Sequence, residues 1–179
     1  TPTQTPTPTR TPDFHYHTFL PYLRGNAGVA PQIDRAVRVN TTANTLTIGG
    51  VTVDTGRAPF IFVEDRAAGV LYVGTGGDGI VAHRLSDGAE LTRITLPGLN
   101  LPIAMTLDEA THRLYVIYLL TPKYHNVAAI DGKTWLIAAT LQGNPLRPLS
   151  DMSALSIERG RLVLSGIGGR VEGDAGTLK

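Results

Sequence analysis

The sequence predicts an all-β fold built from repeated four-stranded units, and three observations support this prediction. Short runs of β-branched and aromatic residues alternate with turn residues such as Gly49-Gly50 and Asp87-Gly88. No stretch shows a sustained helical stripe of apolar residues with capping residues at its ends. From Pro59 onward the chain also copies itself at a period near 43 residues, a length that suits four short strands.

Composition excludes several classes of function before any motif is considered. The chain has 179 residues, a formal net charge of +1 and no cysteine. It therefore has no disulfide framework, no thiolate metal site and no cysteine nucleophile. The near-zero charge argues against a nucleic-acid partner, which normally needs a clustered basic surface. No apolar run approaches the roughly 20 residues of a spanning helix, so we predict no membrane span.

The first 29 residues differ in composition from the rest. Four of the 12 prolines lie in residues 1–12, where every odd position is threonine. Such a tract has little apolar surface to bury, so it predicts a disordered Thr/Pro-rich stalk. Residues 13–29 contain the most aromatic stretch, Phe14-His-Tyr-His-Thr-Phe-Leu-Pro-Tyr-Leu23, and we expect them to dock on a folded region. The stalk favours an exported bacterial protein, extracellular or on the cell surface.

The repeat divides residues 30–179. A segment from Pro59 to Asp65, followed by Leu71-Tyr-Val73, recurs from Pro102 as Pro-x5-Asp followed by Leu114-Tyr-Val116. Further on, Asp87-Gly88 matches Asp131-Gly132 at an offset of 44, which indicates small insertions in loops. We predict units near 30–58, 59–101, 102–147 and 148–179. The strands predicted in the two full units are 60–63, 70–74, 80–85 and 91–96, then 103–107, 114–118, 127–130 and 135–141.

Four short strands in about 43 residues are typical of a β-propeller blade, which buries its alternate residues against neighbouring blades. Pro-x5-Asp, a turn and Leu71-Tyr-Val-Gly-Thr75 resemble the YVTN-type repeat of NHL- and lactonase-like propellers, and Leu114-Tyr-Val-Ile-Tyr118 is a looser match. The resemblance covers residues 45–165. It implies a ring of about seven blades, or roughly 300 residues. The expected fold is therefore a set of antiparallel four-stranded β-propeller blades, about three to four of them, in an incomplete ring.

An incomplete ring has two open blade faces, and we expect each of them to be apolar. Exposed apolar faces of that size favour association between molecules. The sequence therefore predicts possible self-association through the open blade faces.

Several apparent site motifs have simpler structural interpretations. Gly74-Thr-Gly-Gly-Asp-Gly79 matches a dinucleotide-binding pattern, but a predicted strand follows it rather than a helix, so we expect a flexible connection. His15 and His17 have the spacing to share a metal, but no third ligand is near in sequence. We therefore expect no metal, no cofactor and no catalytic residue. The recurring aspartates fit turns, where a carboxylate accepts backbone hydrogen bonds: Asp65, Asp87, Asp108 and Asp131.

Candidate binding residues lie on loops at one end of the blades. The crossovers between blades and the loops between second and third strands converge there, and non-repeated polar or aromatic residues on such loops are better candidates than repeated ones. The loop at 117–126 is also longer than its counterpart at 74–79. The predicted ligand-binding residues are Arg57, Asn100, Tyr124, His125 and Arg147.

Two functions remain open. The first is a secreted or surface-tethered binding module for a protein, a glycan or a small ligand, and the lack of an identifiable catalytic motif favours a protein that is not an enzyme. The alternative, implied by the resemblance, is a lactonase-like propeller hydrolase or lyase. In that case a histidine or arginine at the channel mouth polarises the substrate, and missing blades hold part of the active site.

Overall fold

A computed structural model describes residues 37–48, 50–121, 124–141, 152–166 and 169–174. The chain divides into two units, Thr1–Ile33 and Asp34–Lys179, and all of the described residues belong to the second. The predicted stalk (1–12) and docking segment (13–29) lie outside the described residues, as does the pair His15 and His17. The division into these segments stays a prediction.

The described residues form fourteen strands in four antiparallel sheets and contain no helix, so none of them belongs to a helix that could cross a membrane. The strands, sheet by sheet, are β1 (Val37–Asn40), β2 (Thr45–Ile48) and β3 (Val51–Asp54); β4 (Pro59–Asp65), β5 (Val70–Thr75), β6 (Gly79–Arg84) and β7 (Glu90–Ile94); β8 (Leu101–Asp108), β9 (Arg113–Thr121), β10 (Tyr124–Asp131) and β11 (Ile137–Leu141); β12 (Met152–Glu158), β13 (Arg161–Gly166) and β14 (Gly169–Asp174). The all-β prediction is confirmed, and every predicted strand of the two full units is present.

Apolar side chains of successive sheets pack against each other. Along β5, Leu71 and Val73 face the first sheet, whereas Val70 and Tyr72 face the third. Along β9 the same alternation directs Tyr115 and Ile117 toward the fourth sheet. Because strand side chains alternate between faces, the two middle sheets bury both faces, as propeller blades do.

The third sheet repeats the second with four extra residues between its second and third strands. Leu85 N donates to Gly69 O at 2.9 Å in the second sheet, and Gly132 N donates to His112 O at 2.8 Å in the third. Gly69 and His112 are 43 residues apart, but Leu85 and Gly132 are 47 apart. The insertion therefore lies in the β9–β10 connection.

The prediction that Asp87-Gly88 and Asp131-Gly132 occupy corresponding positions in the two sheets is therefore wrong. Gly88 N donates to Arg84 O at 2.8 Å, and the corresponding bond of the third sheet runs from Trp135 N to Asp131 O at 2.7 Å. Gly88 and Trp135 both have positive φ, 75° and 59°. A bulky residue costs about 1 kcal/mol or more in this conformation. Packing of Trp135 on the cluster between the second and third sheets offsets that strain.

The outward sides of the first and last sheets, which we call the end faces, are polar. Strand alternation points Leu46 and Ile48 inward and the residues beside them outward. The expectation of apolar open faces is therefore wrong for the described residues. On the first sheet the outward residues are Arg38, Asn40, Thr45, Thr47, Thr52 and Asp54. On the last sheet they are Ala154, Ser156, Glu158, Arg161, Val163, Ser165, Arg170 and Glu172, with Val163 buried.

Ion pairs cover the end face of the last sheet. Arg170 contacts Glu158 at 2.6 Å and Glu172 at 2.8 Å, and Arg161 contacts Glu172 at 3.4 Å. The hydrogen bond from Arg170 holds the pKa of Glu158 below its usual value. Exposed pairs of this kind add little stability.

His83 is a buried histidine at the interface between the first and second sheets. It pairs with Leu71 across the sheet and is 1 % exposed. Its Nδ1 lies 3.0 Å from Gly88 O, which makes Nδ1 the donor, and its Nε2 is buried without a partner among the described residues. Burial lowers the pKa of His83, and the Gly88 carbonyl opposes this effect. A protonated His83 would hold an unpaired charge in the interface.

We expect the free energy of unfolding to fall on acidification because of His83. The folded-state pKa is lowered, so the unfolded chain binds more protons near pH 6. The stabilisation is complete above the ordinary value of 6.5 and is lost as the pH falls below it. Urea unfolding at about pH 7.5 and about pH 5.5 measures this loss. The variant His83→Asn keeps a donor for Gly88 O but does not titrate, so its free energy of unfolding should fall less between the two pH values. An equal fall in both proteins would contradict the assignment to His83.

Candidate functional site

Crossovers and turns meet at one end of the sheets, which we call the crossover face: residues 55–58, 76–78, 95–100, 119–121 and 124–125. Gly76 N donates to Ala58 O at 3.1 Å, joining the first crossover to the β5–β6 turn. Gly79 N donates to Asn100 O at 3.1 Å, joining the same turn to the second crossover. Backbone hydrogen bonds thus connect loops of neighbouring sheets along this face.

Arg57 and Arg93 hold one carboxylate of the β5–β6 turn between them. Asp78 lies 3.2 Å from Arg57 Nε and 3.3 Å from Arg93 Nη1. Arg93 also donates two hydrogen bonds to Glu90, of 2.7 and 2.8 Å, and Glu90 raises the pKa of Arg93. Arg57 is 60 % exposed and is engaged by described residues only through Nε. The Arg57 side chain is therefore largely exposed, and its guanidinium can donate further hydrogen bonds to an anionic group.

Asn100 joins the second crossover to the β5–β6 turn. Its Oδ1 accepts from Leu96 N at 2.7 Å, and its Nδ2 donates to Gly77 O at 3.0 Å. The backbone of Asn100 is left-handed, with φ of 52°, a conformation that asparagine tolerates better than most residues. Both ends of the side chain are thus used to position loops. The predicted ligand-binding role of Asn100 stays a prediction.

The β9–β10 hairpin extends beyond the corresponding strands of the second sheet. β9 has nine residues and β5 has six, because the four-residue insertion lengthens this hairpin. Leu99 N donates to Leu119 O at 3.2 Å. The backbone of Gly98 lies directly against that of Leu120, with no room for a Cβ atom. The second crossover therefore supports the base of the hairpin.

His125 lies in this hairpin, opposite Leu119. It is half-buried, and its Nδ1 is buried with no hydrogen-bond partner among the described residues. Tyr124 is the first residue of β10, but its side chain lies outside the description. Arg147 lies outside the described residues altogether. Arg57 and Asn100 therefore share the β5–β6 turn, and His125 is connected to the Asn100 crossover through Leu119.

The prediction that a strand and not a helix follows the Gly74–Gly79 motif is confirmed. The segment ends in strand β6, which begins at Gly79, and no helix follows. The turn at 76–78 is tied by Arg57 on one side and Asn100 on the other. Within the described part of the chain, no group of three or more His, Cys, Asp or Glu side chains is placed to hold a metal ion.

The prediction that the recurring aspartates serve turns is confirmed. Asp65, Asp87 and Asp108 each accept a hydrogen bond from a backbone N–H two or three residues later, and Asp131 accepts two, from Lys133 and Thr134. These backbone N–H groups lower the pKa of Asp131.

One contact between sheets was missed at the opposite end from the crossover face. His112 Nδ1 lies 2.7 Å from Asp65 Oδ2, and Asp65 is fully buried. His112 has φ of 55°, whereas the corresponding residues of the second and fourth sheets are Gly69 and Gly160, with φ of 70° and 75°. A histidine where sister repeats have glycine was the sequence signal for this contact.

Comparisons with known proteins agree with the fold. No known family profile matches the sequence, and no curated protein matches it. Sqt1 from Saccharomyces cerevisiae is similar in structure, with a TM-score of 0.63 and 12% identity over 80% of this chain and 42% of Sqt1. The dihydro-heme d1 dehydrogenase NirN, solved in complex with DHE, has a TM-score of 0.58 and 18% identity over 80% of this chain and 35% of NirN.

These similarities identify the described sheets as β-propeller blades. The chain spans less than half the length of either protein. At these identities the likeness concerns the fold alone.

Proposed function

We propose that the chain belongs to an exported β-propeller of the YVTN type that binds another protein through its crossover face. The observation that carries the proposal is the β9–β10 hairpin. It is four residues longer than its counterpart in the second sheet and lies on the face where the crossovers meet. Loops that depart from a repeat are where such scaffolds place their binding residues. The Thr/Pro-rich residues 1–12 support export, as a spacer between the propeller and a surface.

The described residues suggest the chemistry of the partner. Leu99, at the base of the hairpin, is 46% exposed, and apolar residues of this kind supply the contact area of protein interfaces. The exposed Arg57 guanidinium offers donors to a carboxylate. A peptide segment with an apolar side chain close to an acidic one combines both contacts. A glycan or a small ligand matches the exposed leucine less well.

Arg57→Ala should weaken peptide binding, because it removes an exposed cation from the crossover face. The probe is a set of peptides selected from a random displayed library on the immobilised 179-residue chain. Arg66→Ala is the matched control: Arg66 is 61% exposed and pairs with one acid, Glu64, at 2.9 Å, but it lies in the β4–β5 turn at the opposite end. We expect Kd to rise at least about tenfold for Arg57→Ala, or about 1.4 kcal/mol, and to change little for Arg66→Ala.

Three results would contradict the proposal: selection of no peptide, equal effects of the two substitutions, or peptides that bind equally well after four residues are deleted from the hairpin tip. Lactone hydrolysis by the chain that is lost in His125→Ala would instead favour the hydrolase function. Calorimetry for binding and a colorimetric lactone assay separate these outcomes.

A further inference from the structure

Four charged side chains of alternating sign form a row that runs from β7 to the crossover face: Glu90, Arg93, Asp78 and Arg57. Arg93 donates two hydrogen bonds to Glu90, from Nε at 2.8 Å and from Nη2 at 2.7 Å. Its third nitrogen, Nη1, donates to Asp78 Oδ2 at 3.3 Å. The other oxygen of Asp78 lies 3.2 Å from Arg57 Nε. Arg57 is therefore the end of the row, with an acidic partner on one side only among the described residues.

The backbone at Arg57 is fixed without help from this row. Thr55 is fully buried, and its hydroxyl lies 2.7 Å from Arg57 O. Ala58 O accepts a hydrogen bond from Gly76 N at 3.1 Å. The remaining freedom of Arg57 is therefore in its side chain, whose one ion-pair partner among the described residues is Asp78. A free arginine side chain has many rotamers, and ordering it on binding costs affinity.

A glycine lies beside the Arg57 guanidinium. Arg57 Nη1 is the one atom listed within 4 Å of the place that a Cβ of Gly77 would take, at 3.9 Å. A side chain at position 77 would therefore lie against the terminal nitrogen of Arg57. Because glycine has no side chain, Nη1 has only the bare backbone of residue 77 on this side. The row thus holds Arg57 through Nε, and residue 77 does not cover Nη1.

We propose that Asp78 is a positioning residue, which holds the Arg57 guanidinium through Nε so that its two terminal nitrogens bind one carboxylate of the partner. This inference rests on the proposed function, in which Arg57 meets an acidic side chain. A guanidinium binds a carboxylate most strongly through two parallel hydrogen bonds, and a side chain that is already held loses less entropy on binding. Arg93 acts one step behind, since it holds Asp78 while both of its other donor groups bind Glu90.

Asp78 has two opposite effects on an incoming carboxylate. Its own charge repels the ligand, but both groups are in contact with water, and at physiological salt this repulsion lowers the affinity by less than about twofold. Without Asp78, the Arg57 side chain would have to be ordered on binding, which costs about two- to tenfold in affinity. The ordering effect is the larger one. Removing the negative charge of Asp78 should therefore weaken the binding of an acidic peptide, whereas repulsion alone would strengthen it.

Asp78→Asn tests this sign. We expect the Kd of the selected acidic peptides to rise about two- to fivefold, less than in Arg57→Ala, in calorimetry at about 0.15 M salt. Asp87→Asn is the matched control, because Asp87 also pairs with an exposed arginine, Arg84, at 2.8 Å. The change in charge is the same, but this pair lies at the β6–β7 turn, at the opposite end from the crossover face. The Kd of Asp87→Asn should not change.

The Nε–H group of Arg57 tests the positioning without any ligand. Its signal in a ¹H–¹⁵N NMR spectrum is assigned by its absence from the spectrum of Arg57→Ala. We expect a positive heteronuclear NOE, typical of an ordered side chain, and loss of this NOE in Asp78→Asn but not in Asp87→Asn. The backbone amide signals in the same spectra show whether each variant keeps the fold.

The possible results separate this inference from the proposed function. Tighter or unchanged peptide binding in Asp78→Asn, while Arg57→Ala still weakens it, would overturn the positioning role and leave the binding function in place. An Arg57 NOE that Asp78→Asn does not change would also overturn the positioning role. If no peptide is selected, or if Arg57→Ala does not weaken binding, the proposed function fails and this inference fails with it.

Discussion

Replacing His112 with alanine should lower the free energy of unfolding by about 3 kcal/mol, because it leaves the buried Asp65 carboxylate without its side-chain partner. Asp65 is fully buried, and its carboxylate keeps one other described hydrogen bond, from Ala68 N at 2.9 Å. His112 is 26% exposed, so water can partly replace it, and the expected loss lies at the low end for broken buried pairs. Urea unfolding followed by the fluorescence of Trp135, the single tryptophan, measures this loss.

Two further variants separate the loss of the His112–Asp65 contact from backbone strain. Alanine at position 112 keeps the unfavourable positive φ, whereas His112→Gly restores the residue found in the sister turns, so His112→Gly should be about 1 kcal/mol more stable than His112→Ala. Asp65→Asn removes the buried charge. In that background the loss caused by His112→Ala should shrink to about 1 kcal/mol, the value of a neutral hydrogen bond. If His112→Ala lowers the free energy of unfolding equally with Asp65 present and in the Asp65→Asn background, the charge of residue 65 does not contribute to the contact.

The strands were predictable because each one carries its own signal. Runs such as Leu71-Tyr-Val73 are β-branched or aromatic, and turn residues bound them. The correspondence between repeats was less predictable, since a short match arises by chance. Asp131-Gly132 looked like Asp87-Gly88 because both are turn dipeptides. Only the hydrogen-bond pattern shows that Trp135 is the residue corresponding to Gly88.

The end faces show what a composition argument misses. An open blade was expected to be apolar because blades within a ring are apolar on both sides. In β2, however, the alternation of Thr45, Leu46, Thr47 and Ile48 directs leucine and isoleucine to one side only. The sequence contains this information at a period of two. This pattern predicts a polar outer face once it is known which side of the strand packs against the next sheet.

The candidate site was predictable in location but not in contacts. Loop position alone placed Arg57 and Asn100 at one end of the blades, and the structure connects both to the β5–β6 turn. Asp78 and Arg93 were missed because they are 21 and 36 residues from Arg57 in sequence, and only folding brings their charges together. Sequence spacing indicates neighbours along one strand or turn, but not between crossovers.

Gly98→Ala should strongly lower the free energy of unfolding, because it disrupts the contact between the second crossover and the β9–β10 hairpin. A Cβ atom at Gly98 would meet the Leu120 backbone, which cannot rotate away as a side chain would, and the φ of Gly98 is +74°. Strain at positive φ contributes about 1 kcal/mol, and overpacking adds about 1–3 kcal/mol. We expect a total loss of about 3 kcal/mol in the free energy of unfolding, measured by urea unfolding.

Gly50→Ala separates the clash from the strain. Gly50 has a φ of +90° and no atom within 4 Å of the position that a Cβ would take, so only the strain of about 1 kcal/mol should appear. In Gly98→Ala the crossover must move away from the hairpin, which breaks the bond from Leu99 N to Leu119 O. Hydrogen exchange at the Leu99 amide should therefore accelerate in Gly98→Ala and not in Gly50→Ala. Equal losses of stability in the two variants, with unchanged exchange at Leu99, would mean that the crossover does not support the hairpin.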